Sequence, residues 1–565
     1  MNALPRSSPP LNRHRNLTAL KDDDTLDVLV LGGGVNGAGI FRELSLQGLR
    51  CALVEKDDFA AGASGASTRV AHGGFRYLEQ GRLKLVRESS VERNRLVANA
   101  RHLVRPLQVA IPVESFWGGI VLQTRRFLGA KLKSSLPGLI LLRLALAFYD
   151  HLGSKDRSLP LRGAVWGGAL RKSFPGLSEH LKGIAWSWEG RIGHPERIVV
   201  ELIEDAILAQ PASVALNHVA LEGWDGDAVI LNDRLGEARI AVKPRLVVNA
   251  TGAWVDRTNL LLGTDGTLVQ GSKGSHLLLD NPALHKALDG RLVFFGDGQS
   301  RLCMAYPLEG QVLLGATDIP VDDPENPVTG DDEIAYLLNA AARIYPGIPV
   351  EPSQIRYRWC GVRPLPHAGK ATTIGDVSRD HHVADVPAPH LPFPLLALVG
   401  GKWTTFRTAA EQIADRALAL LNHPRSVETA HLPIGGALGL PADSDRDAWI
   451  DAVSDGSGLP RQRVETLLAR YGSRARLVAD YVAGAPDSPL PDAPGYSERE
   501  IRFLVHHEMA QTLEDVIARR TTLALHGTLT EALLNRLREI VAEQGGLPDR
   551  FGLDGYLNRH GVGVA

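Results

Sequence analysis

The sequence predicts an α/β fold in which a parallel sheet with flanking helices is followed by a separate helical domain at the C-terminus. Three observations predict it. The chain has 565 residues, which is enough for more than one domain. Residues 26–55 follow a strand–helix–strand pattern with a glycine-rich turn after the first strand. After about residue 424 the pattern changes to helical periodicity, rich in Ala, Leu, Arg and Glu.

The composition excludes several classes of protein. Lys and Arg number 62 and Asp and Glu 64, so the net charge of −2 gives no electrostatic reason to expect a nucleic-acid partner. Cys51, Cys303 and Cys360 form no C-x-x-C pair, which excludes a zinc ribbon and a thioredoxin-type redox centre. A run of 18 apolar residues, as a membrane span needs, is absent. Residues 1–24 lack the apolar core of a secretory signal and predict a disordered leader.

The first part of the predicted sheet is a βαβ unit. The apolar, β-branched run over 26–31 is typical of a buried parallel strand. Residues 40–47 have the spacing of a helix that ends at Gly48, and a second strand over 50–54 ends at Glu55. Later strands are predicted over 245–249, 312–315 and 395–399.

The glycine-rich turn matches the fingerprint of a dinucleotide-binding site. Gly32 permits the tight turn, Gly34 lets the backbone approach a diphosphate, and Gly37 allows the helix to pack closely on the strand. Glu55, 23 positions after Gly32, can accept hydrogen bonds from ribose hydroxyls and would repel a 2′-phosphate, which disfavours NADP. The same unit binds the ADP half of NAD or of FAD, so these residues leave both cofactors open.

Two later segments favour a flavin that stays bound. The strand over 245–249 runs into a turn of small residues, Thr251-Gly252, that could approach a cofactor closely. The strand over 395–399 runs through Gly401 into a helix start that could stabilise negative charge on a reduced flavin ring. A second glycine fingerprint after a strand is absent from the sequence, which argues against a reductase with separate FAD and NAD domains.

A set of short motifs, taken in order, resembles the FAD-dependent, quinone-linked glycerol-3-phosphate dehydrogenases over about residues 27–547. The motifs are GGGVNGAG at 32–39, SGASTR at 64–69, HGGFRYLE at 72–79, YDHLG at 149–153, KGSH at 273–276, GATD at 315–318, GVRPL at 361–365, SRD at 378–380, GGK at 400–402 and RRT at 519–521. The resemblance implies a Rossmann-like FAD-binding domain of the glutathione-reductase/D-amino-acid-oxidase type, an antiparallel-sheet substrate domain and a helical C-terminal domain. It divides the chain into an FAD-binding part at about 25–100, 155–255 and 355–425, a substrate-binding part at about 101–154 and 256–354, and a C-terminal domain at 426–565.

The resemblance implies the oxidation of sn-glycerol 3-phosphate to dihydroxyacetone phosphate, with FAD as the cofactor and a membrane quinone as the acceptor. It places the protein in the cytoplasm, peripheral on the inner face of the cell membrane, and leaves a homodimer open. The implied substrate-binding positions are Arg76, Tyr77, Lys273 and Arg379. The implied cofactor-binding positions are Gly32, Gly34, Asn36, Gly37, Glu55, Ser67, Thr68, His72, Gly73, Gly74, Thr251, Gly252, Gly401, Thr404 and Thr405.

The chemistry of that reaction assigns roles to three matched residues. A phosphate dianion needs Arg or Lys donors. When C2 loses a hydride its hydroxyl must lose a proton, and a neutral His is a better base than an Arg. We therefore predict His276 as the base, with Arg363 and Lys402 polarising the developing oxyanion. His72 is the competing candidate for the base.

One segment departs from the family pattern. Where the family has Asp-Asp-Ala-Arg-Leu before a long helix, residues 193–198 read Gly-His-Pro-Glu-Arg-Ile, so Arg197 is kept and the paired acids are not. Either the substrate entrance differs, and with it the polyol-phosphate specificity, or the helix start is rewritten with Pro195 and Glu196 in its first turn.

A basic and then apolar stretch is a candidate membrane contact. Arg125, Arg126, Lys131 and Lys133 precede the apolar run 139–148, which is too short to span a bilayer. This stretch could lie in the membrane interface with its cations on anionic headgroups, or form an ordinary core helix.

Other functions stay open from the sequence. An oxidase of the same family would pass electrons to oxygen, and a related flavoenzyme would act on another small hydroxy acid or polyol phosphate. A non-catalytic flavoprotein would sense redox state or dock on a partner through the C-terminal domain, but it has no need of converging anion-binding residues. A metal site is not predicted, because His506 and His507 are consecutive on a helix and do not share a face.

Overall fold

The structure is a computed structural model. It describes residues 11–78, 81–118, 137–296, 302–367, 377 and 379–565, and the backbone alone at positions 76 and 528. The four cations predicted to face a membrane, at positions 125, 126, 131 and 133, lie outside the described residues.

Strands are spread over the whole chain. They are β1 Thr25–Leu31, β2 Cys51–Val54, β3 Val70–Ala71, β4 Val104–Val113, β5 Gly163–Trp166, β6 Gly183–Ile192, β7 Val214–Leu216, β8 Val219–Asp225, β9 Ala228–Asp233, β10 Arg239–Asn249, β11 Val269–Leu279, β12 Leu292–Gly296, β13 Leu302–Leu308, β14 Gln311–Gly315, β15 Ile319–Val321, β16 Ile355–Pro366, β17 His381–Val386, β18 Leu395–Gly400, β19 Pro489–Leu490, β20 Ala493–Ser497, β21 Thr528–Leu529 and β22 Gly563–Val564.

Helices flank the sheets and dominate the last quarter of the chain. They are α1 Arg13–Asp22, α2 Val35–Leu46, α3 Phe75–Leu78, α4 Leu83–Asn99, α5 Leu139–Leu152, α6 Gly167–Ser173, α7 Pro195–Ala209, α8 Val255–Leu261, α9 Pro282–Leu288, α10 Asp331–Ile344, α11 Phe406–Leu421, α12 Arg446–Ser457, α13 Arg461–Tyr471, α14 Ala475–Ala483, α15 Glu498–Glu508, α16 Glu531–Glu543 and α17 Leu553–His560.

The first sheet has the predicted parallel core. Strands β18, β10, β1, β2 and β7 are parallel neighbours in that order, and β17 and β9 pair antiparallel with β18 and β10. Alternate residues of β1 face opposite sides, so Val28 and Val30 pack under α2, α7 and α11 while Leu29 and Leu31 pack against β7, β8 and β9. Both faces are therefore buried. The carboxyl ends of β1, β2, β10 and β18 meet at one edge, as parallel strands must.

The second sheet is mostly antiparallel and lies over that edge. Its order is β15-β11-β14-β13-β12-β4-β6-β3, with β16 on the other side of β11 and β5 on β6. One face packs on α6, α9 and α10. The opposite face, which carries Leu278 and Tyr357, packs on the C-terminal helices. The predicted boundaries assigned 155–255 and 355–425 to the FAD-binding part. Within those ranges, β5, β6 and β16 belong to this second sheet instead.

A buried ion cluster joins the C-terminal domain to the first sheet. Asp58, at 0% exposure, accepts hydrogen bonds from Arg519 Nε at 2.7 Å and from both terminal nitrogens of Arg520 at 2.8 Å. His218 Nε2 lies 2.9 Å from a carboxylate oxygen of Asp515, in the same cluster. The two guanidinium groups balance the charge of the carboxylates, so the cluster works as a clamp between domains.

The leader is not disordered where the structure describes it. Helix α1 buries Leu20 completely against the outer face of the first sheet. Asn16 Nδ2 donates to the carbonyl of Ala215 at 2.9 Å, and Arg13 forms a buried ion pair with Asp233 at 2.5 Å. The prediction of a disordered leader is therefore wrong from Leu11 onward, because contacts distant in sequence order the helix.

Among the described helices, none combines the length and the apolar character that crossing a bilayer requires.

Candidate active site

A large cavity lies between the two sheets. Its volume is about 1210 Å³. Its floor is the edge where β1, β2, β10 and β18 end, and its roof is the face formed by β4, β11, β12, β13 and β16. The predicted site residues that line it are Gly32, Gly34, Asn36, Glu55, Ser67, Thr68, His72, Gly74, Tyr77, Thr251, Gly252, His276, Arg363, Arg379, Gly401 and Lys402.

Backbone geometry explains two of the fingerprint glycines. Gly32 has φ +105°, and a Cβ there would lie 2.8 Å from the carbonyl oxygen of Ala250 at the end of β10. A Cβ at Gly37 would lie 1.8 Å from the carbonyl oxygen of Gly32. Both positions therefore require glycine for α2 to leave β1 at this angle. Gly37 itself packs beneath the turn and does not line the cavity.

The first turn of α2 presents groups that suit a dinucleotide. Gly34 and Asn36 line the cavity at the helix start, where free amides and the positive end of the helix favour a phosphate. The side-chain oxygen of Asn36 is buried and has no hydrogen-bond partner among the described residues. An unsatisfied acceptor beside an anion-binding helix start fits a cofactor that carries both phosphates and hydroxyl groups.

Glu55 lies at the end of β2, as predicted. Its carboxylate accepts hydrogen bonds from the amides of Gly33 at 2.7 Å and Asp57 at 3.0 Å. Burial and the neighbouring charge of Asp57 raise the pKa of Glu55 to about 7. Ribose hydroxyls donating to this carboxylate would stabilise its ionised form. The residues at this end of the cavity thus fit the adenosine half of a dinucleotide.

Two contacts fix the loop that leads from the dinucleotide end to the opposite end. The amide of His72 donates to Oγ1 of Thr404 at 3.0 Å, and the amide of Gly73 donates to the carboxylate of Glu189 at 3.1 Å. Thr404 and Thr405 are buried in the 3-10 turn after β18. Gly73 and the two threonines, which we predicted as cofactor contacts, therefore support the wall and do not line the cavity.

His276 projects from β11 and is held on three sides. Its Nε2 lies 3.0 Å from Oγ1 of Thr68, and its ring stacks on Trp359 with the centroids 5.1 Å apart. A Cβ at Gly315 would lie 2.3 Å from the ring, so this glycine makes room for it. Burial, reinforced by the charges of Arg363 and Arg69, lowers the pKa of His276 to about 3. The ring is therefore neutral at physiological pH.

Arg363 and Arg379 lie together beside His276 and share one carboxylate. Asp318 lies 3.4 Å from Nη1 of Arg363 and 3.1 Å from Nη2 of Arg379. The guanidinium of Arg363 lies over the bare α-carbon of Gly274, where a Cβ would be 2.0 Å from Nη2. Burial and the charge of Arg379 lower the pKa of Arg363 to about 10, so Arg363 stays cationic. With two cations to one carboxylate, this end of the cavity attracts anions.

Lys402 completes the cationic end. Its Nζ donates a hydrogen bond to Oγ of Ser89 at 3.1 Å and lies 4.0 Å from the centroid of the Tyr77 ring. Burial, together with the charge of Arg379, lowers the pKa of Lys402 to about 7.

Lys273 does not lie at this site. Side chains alternate along β11, so Gly274 and His276 face the cavity while Lys273 faces away. The Nζ of Lys273 pairs with Glu333 at 2.7 Å. The structure therefore contradicts its predicted contact with substrate. Arg76 lies in α3, but its side chain is outside the described residues.

The segment that departs from the family pattern lies behind the cavity wall. Glu196, in the first turn of α7, pairs with Arg69 at 3.0 Å, and Arg69 also donates to the carbonyl of Gly193 at 3.1 Å. All three residues are absent from the lining. The geometry therefore favours the rewritten helix start over an altered substrate entrance.

Several residues of the site were not predicted from the sequence. Asp318 belongs to the GATD motif at 315–318, but no role was predicted for it. Glu189 lines the cavity, accepts a 2.7 Å hydrogen bond from the hydroxyl of Tyr149 and pairs with Arg93 at 2.9 Å. Trp359 supports His276 from β16. Glu189 and Trp359 carry no local signal, because strand pairing alone brings Glu189 to the cavity and Trp359 to the ring of His276.

Similarity to known proteins extends over most of the chain. The family model described as FAD dependent oxidoreductase matches residues 27–386, and that described as the C-terminal domain of alpha-glycerophosphate oxidase matches residues 427–550. A Synechocystis protein named glycerol-3-phosphate dehydrogenase is 34% identical over 525 residues, 88% of this chain and 89% of that protein. A Brucella abortus protein named D-erythritol 1-phosphate dehydrogenase is 32% identical, over 91% and 97%. Among solved structures, a glycerol-3-phosphate dehydrogenase from Bacillus halodurans complexed with FAD has the same fold, with a TM-score of 0.69, 23% identity and 94% coverage of each chain.

Proposed function

The chain belongs to the family of FAD-dependent glycerol-3-phosphate dehydrogenases, with FAD as its cofactor, and on that premise we propose that it oxidises sn-glycerol 3-phosphate to dihydroxyacetone phosphate and passes the electrons to a membrane quinone. The observation that carries the proposal is that a dinucleotide-binding end and an anion-binding end belong to one cavity. A dinucleotide fingerprint forms one end, and Arg363, Arg379 and Lys402 converge at the other.

The cationic end suits a small phosphate ester. Arg presents a planar fork that binds phosphate oxygens in pairs, and two such forks lie side by side around Asp318. Bound FAD supplies the acceptor for the hydride of C2. The protein's own residues bind the phosphate, hold the carbinol carbon towards the cofactor and stabilise charge on the C2 oxygen. We predicted Arg363 and Lys402 for the last task. Both side chains line the cavity, but Arg363 shares Asp318 with Arg379 and is assigned with it to the phosphate.

An exposed apolar patch supports the choice of a membrane acceptor. Leu144 and Phe148 lie one turn apart on α5, and the amide of Ile140 at the start of that helix donates to the carbonyl of Phe116. Trp166 contacts Arg143 of the same helix through its ring, and Trp117 follows Phe116; all five apolar side chains are exposed. Single exposed apolar residues are common, but a group of five with aromatic rings is typical of an interfacial surface. Under this proposal the protein lies on the inner face of the cell membrane.

The membrane contact is tested by partitioning. Leu144→Ser combined with Phe148→Ser should reduce binding to vesicles of anionic lipid, because two exposed apolar side chains are lost from the patch. Leu547→Ser, at a residue that is 43% exposed elsewhere on the molecule, is the matched control and should bind as the unsubstituted protein does. Equal binding of all three proteins would contradict the membrane surface.

Anaerobic bleaching tests the reaction itself. The purified yellow protein should lose its flavin absorbance when glycerol 3-phosphate is added without oxygen, and a quinone analogue should restore it faster than air does. An absence of bleaching would refute the proposal. Faster recovery in air would favour the oxidase, which the match to an oxidase C-terminal domain keeps as the second candidate. D-erythritol 1-phosphate should be compared in the same assay, because a 32% identical relative is named for it.

A further inference from the structure

Lys402 is an amine in the substrate end of the cavity that forms no ion pair with a described carboxylate. It follows β18 and precedes the 3-10 turn Trp403–Thr405. Its contacts are the hydrogen bond to Ser89 and the face of the Tyr77 ring, both of which leave a nitrogen orbital available to a ligand. The arginines nearby have carboxylate partners, as Arg379 has Asp318. Among the described cations of the site, Lys402 therefore has the least stabilisation of its charged form by an ion pair.

The groups around Lys402 act on its charge in opposite directions. Burial has the largest effect and favours the neutral amine, and the positive charge of Arg379 adds to it. The described charged and titratable side chains that interact with it come from several elements. They are Tyr77 of α3, Arg82 at the N-terminus of α4, Glu88 on α4, Arg379 and Asp380 before β17, His381 on β17, and His72 of the loop after β3. The acids only partly offset burial, and the pKa stays near 7.

His276 is poorly placed to take a proton. Its Nε2 is the atom held by Thr68, while its Nδ1 is buried with no hydrogen-bond partner among the described residues. With Nε2 bonded to Thr68, a proton added to the ring would leave a buried Nδ1–H that donates to no described group, which disfavours the charged ring. A proton added to this ring would also face the charges of Arg363 and Arg69.

We propose that Lys402, not His276, accepts the proton of the substrate hydroxyl, and that His276 stays neutral while Thr68 holds its ring at the cavity wall. This inference rests on the proposed oxidation of a polyol phosphate. In the step, the C2–H bond breaks and both of its electrons leave as hydride to the FAD. The O–H bond breaks, its electrons form the C2=O bond, and the proton goes to the lone pair of Nζ, which becomes an ammonium group.

The pH dependence of flavin reduction is the first test. In the unsubstituted protein kcat/KM should rise with pH through about 7, because the free enzyme must supply a neutral amine. A bound phosphate dianion favours the ammonium form, so the corresponding rise in kcat should lie at higher pH. Lys402→Ala should lower the rate of reduction by about 10²–10⁴-fold, the usual contribution of a general base. His276→Asn should be slower but should keep the rise with pH.

Chemical rescue separates a base from a structural cation. Methylamine added to the Lys402→Ala protein should restore part of the rate in proportion to the free amine, and amines of different basicity should give rates that follow their pKa values. Lys402→Arg keeps a cation at the site and should be neither active nor rescued, since an Arg stays protonated. Rescue of the Ala variant by guanidinium ion in place of amines would overturn the proposal in favour of a purely electrostatic role.

A measurement that does not depend on turnover completes the test. Competitive labelling with acetic anhydride, followed by mass spectrometry, should show Lys402 reacting as a free amine at pH 7, with the exposed Lys182 as the internal reference. An unreactive Lys402 in the FAD-loaded protein, or a pH rise that survives in Lys402→Ala, would overturn the inference. If no polyol phosphate bleaches the unsubstituted protein, the proposed function fails instead, and the labelling result still reports on Lys402.

Discussion

Gly274 tests the geometry of the anion-binding end. It pairs with Gly361 across β11 and β16, and the guanidinium of Arg363 lies directly on it. In Gly274→Ala the new Cβ would be 2.0 Å from Nη2 and 2.4 Å from Cζ of Arg363. Non-bonded heavy atoms settle about 3.5 Å apart, so the guanidinium must move by about 1.5 Å. Because it is the far end of a flexible side chain, the strand itself should stay paired.

The size of the effect follows from the contacts that would be lost. A hydrogen bond to a charged group contributes about 1.5–3 kcal/mol, and about 1.4 kcal/mol corresponds to a factor of ten. Displacing Arg363 from the phosphate should therefore raise KM for glycerol 3-phosphate by about 10–100-fold. The assay is steady-state reduction of a quinone analogue, with the FAD content of each protein measured by its absorbance.

Gly347→Ala is the matched control for this substitution. A Cβ at Gly347 would meet no atom within 4 Å, so KM should be unchanged. Gly274→Ala could retain its FAD and its fold and still have the KM of the unsubstituted protein. That result would refute the idea that Arg363 packs on Gly274 and binds the phosphate from there.

Three further predictions concern the domain clamp and the dinucleotide end. Asp58→Asn should lower the free energy of unfolding by about 3–5 kcal/mol in urea, because it leaves the buried Arg520 without its partner. Although burial lowers the pKa of His218, Asp515 raises it more, so the net pKa lies above its ordinary value. The stability from this pair should be fully present below about pH 6.5 and lost as pH rises through the raised pKa, and His218→Gln should flatten the decrease of the urea midpoint between pH 6 and 9. Glu55→Gln should weaken FAD binding by about tenfold in a fluorescence titration of the apoprotein, since the charged acceptor for ribose is lost.

Each of these three substitutions has a matched control at an exposed residue of the same type. Asp289 pairs with Arg291 while itself 68% exposed, and Asp289→Asn should change stability by less than about 0.5 kcal/mol. His180→Gln, at a ring on the surface, should keep the pH dependence of the unsubstituted protein. Glu222→Gln should leave the affinity for FAD unchanged. A stability loss of Asp58→Asn no larger than that of Asp289→Asn would show that the clamp is not the link we describe.

Local patterns predicted the dinucleotide end well. The fingerprint glycines are required by backbone contacts within one βαβ unit, and Glu55 lies on the strand directly after it. Parallel strands place their carboxyl ends at one edge, which brought Thr251 and Gly401 to the same cavity as Gly32. The alternation of side chains along a strand could also have excluded Lys273 from the cavity, because its side chain points to the opposite face of β11 from His276.

Contacts between distant segments decided the rest. Thr68 and His276 are 208 positions apart, and only their contact in the folded protein shows that Nε2 of the ring is hydrogen-bonded. Leu20 is ordered because it packs on the outer face of the first sheet, whose strands come from distant parts of the chain.

The sequence by itself determined the cofactor class, the order of the domains and the residue types that a phosphate ester needs. These depend on short stretches of chain whose backbone must adopt one conformation. The tertiary structure alone decided the partners of each charge: Asp318 between two arginines, Glu333 on Lys273, and no described carboxylate on Lys402. Burial and neighbouring charges set the protonation state of a side chain, and both depend on residues that the linear sequence does not place together.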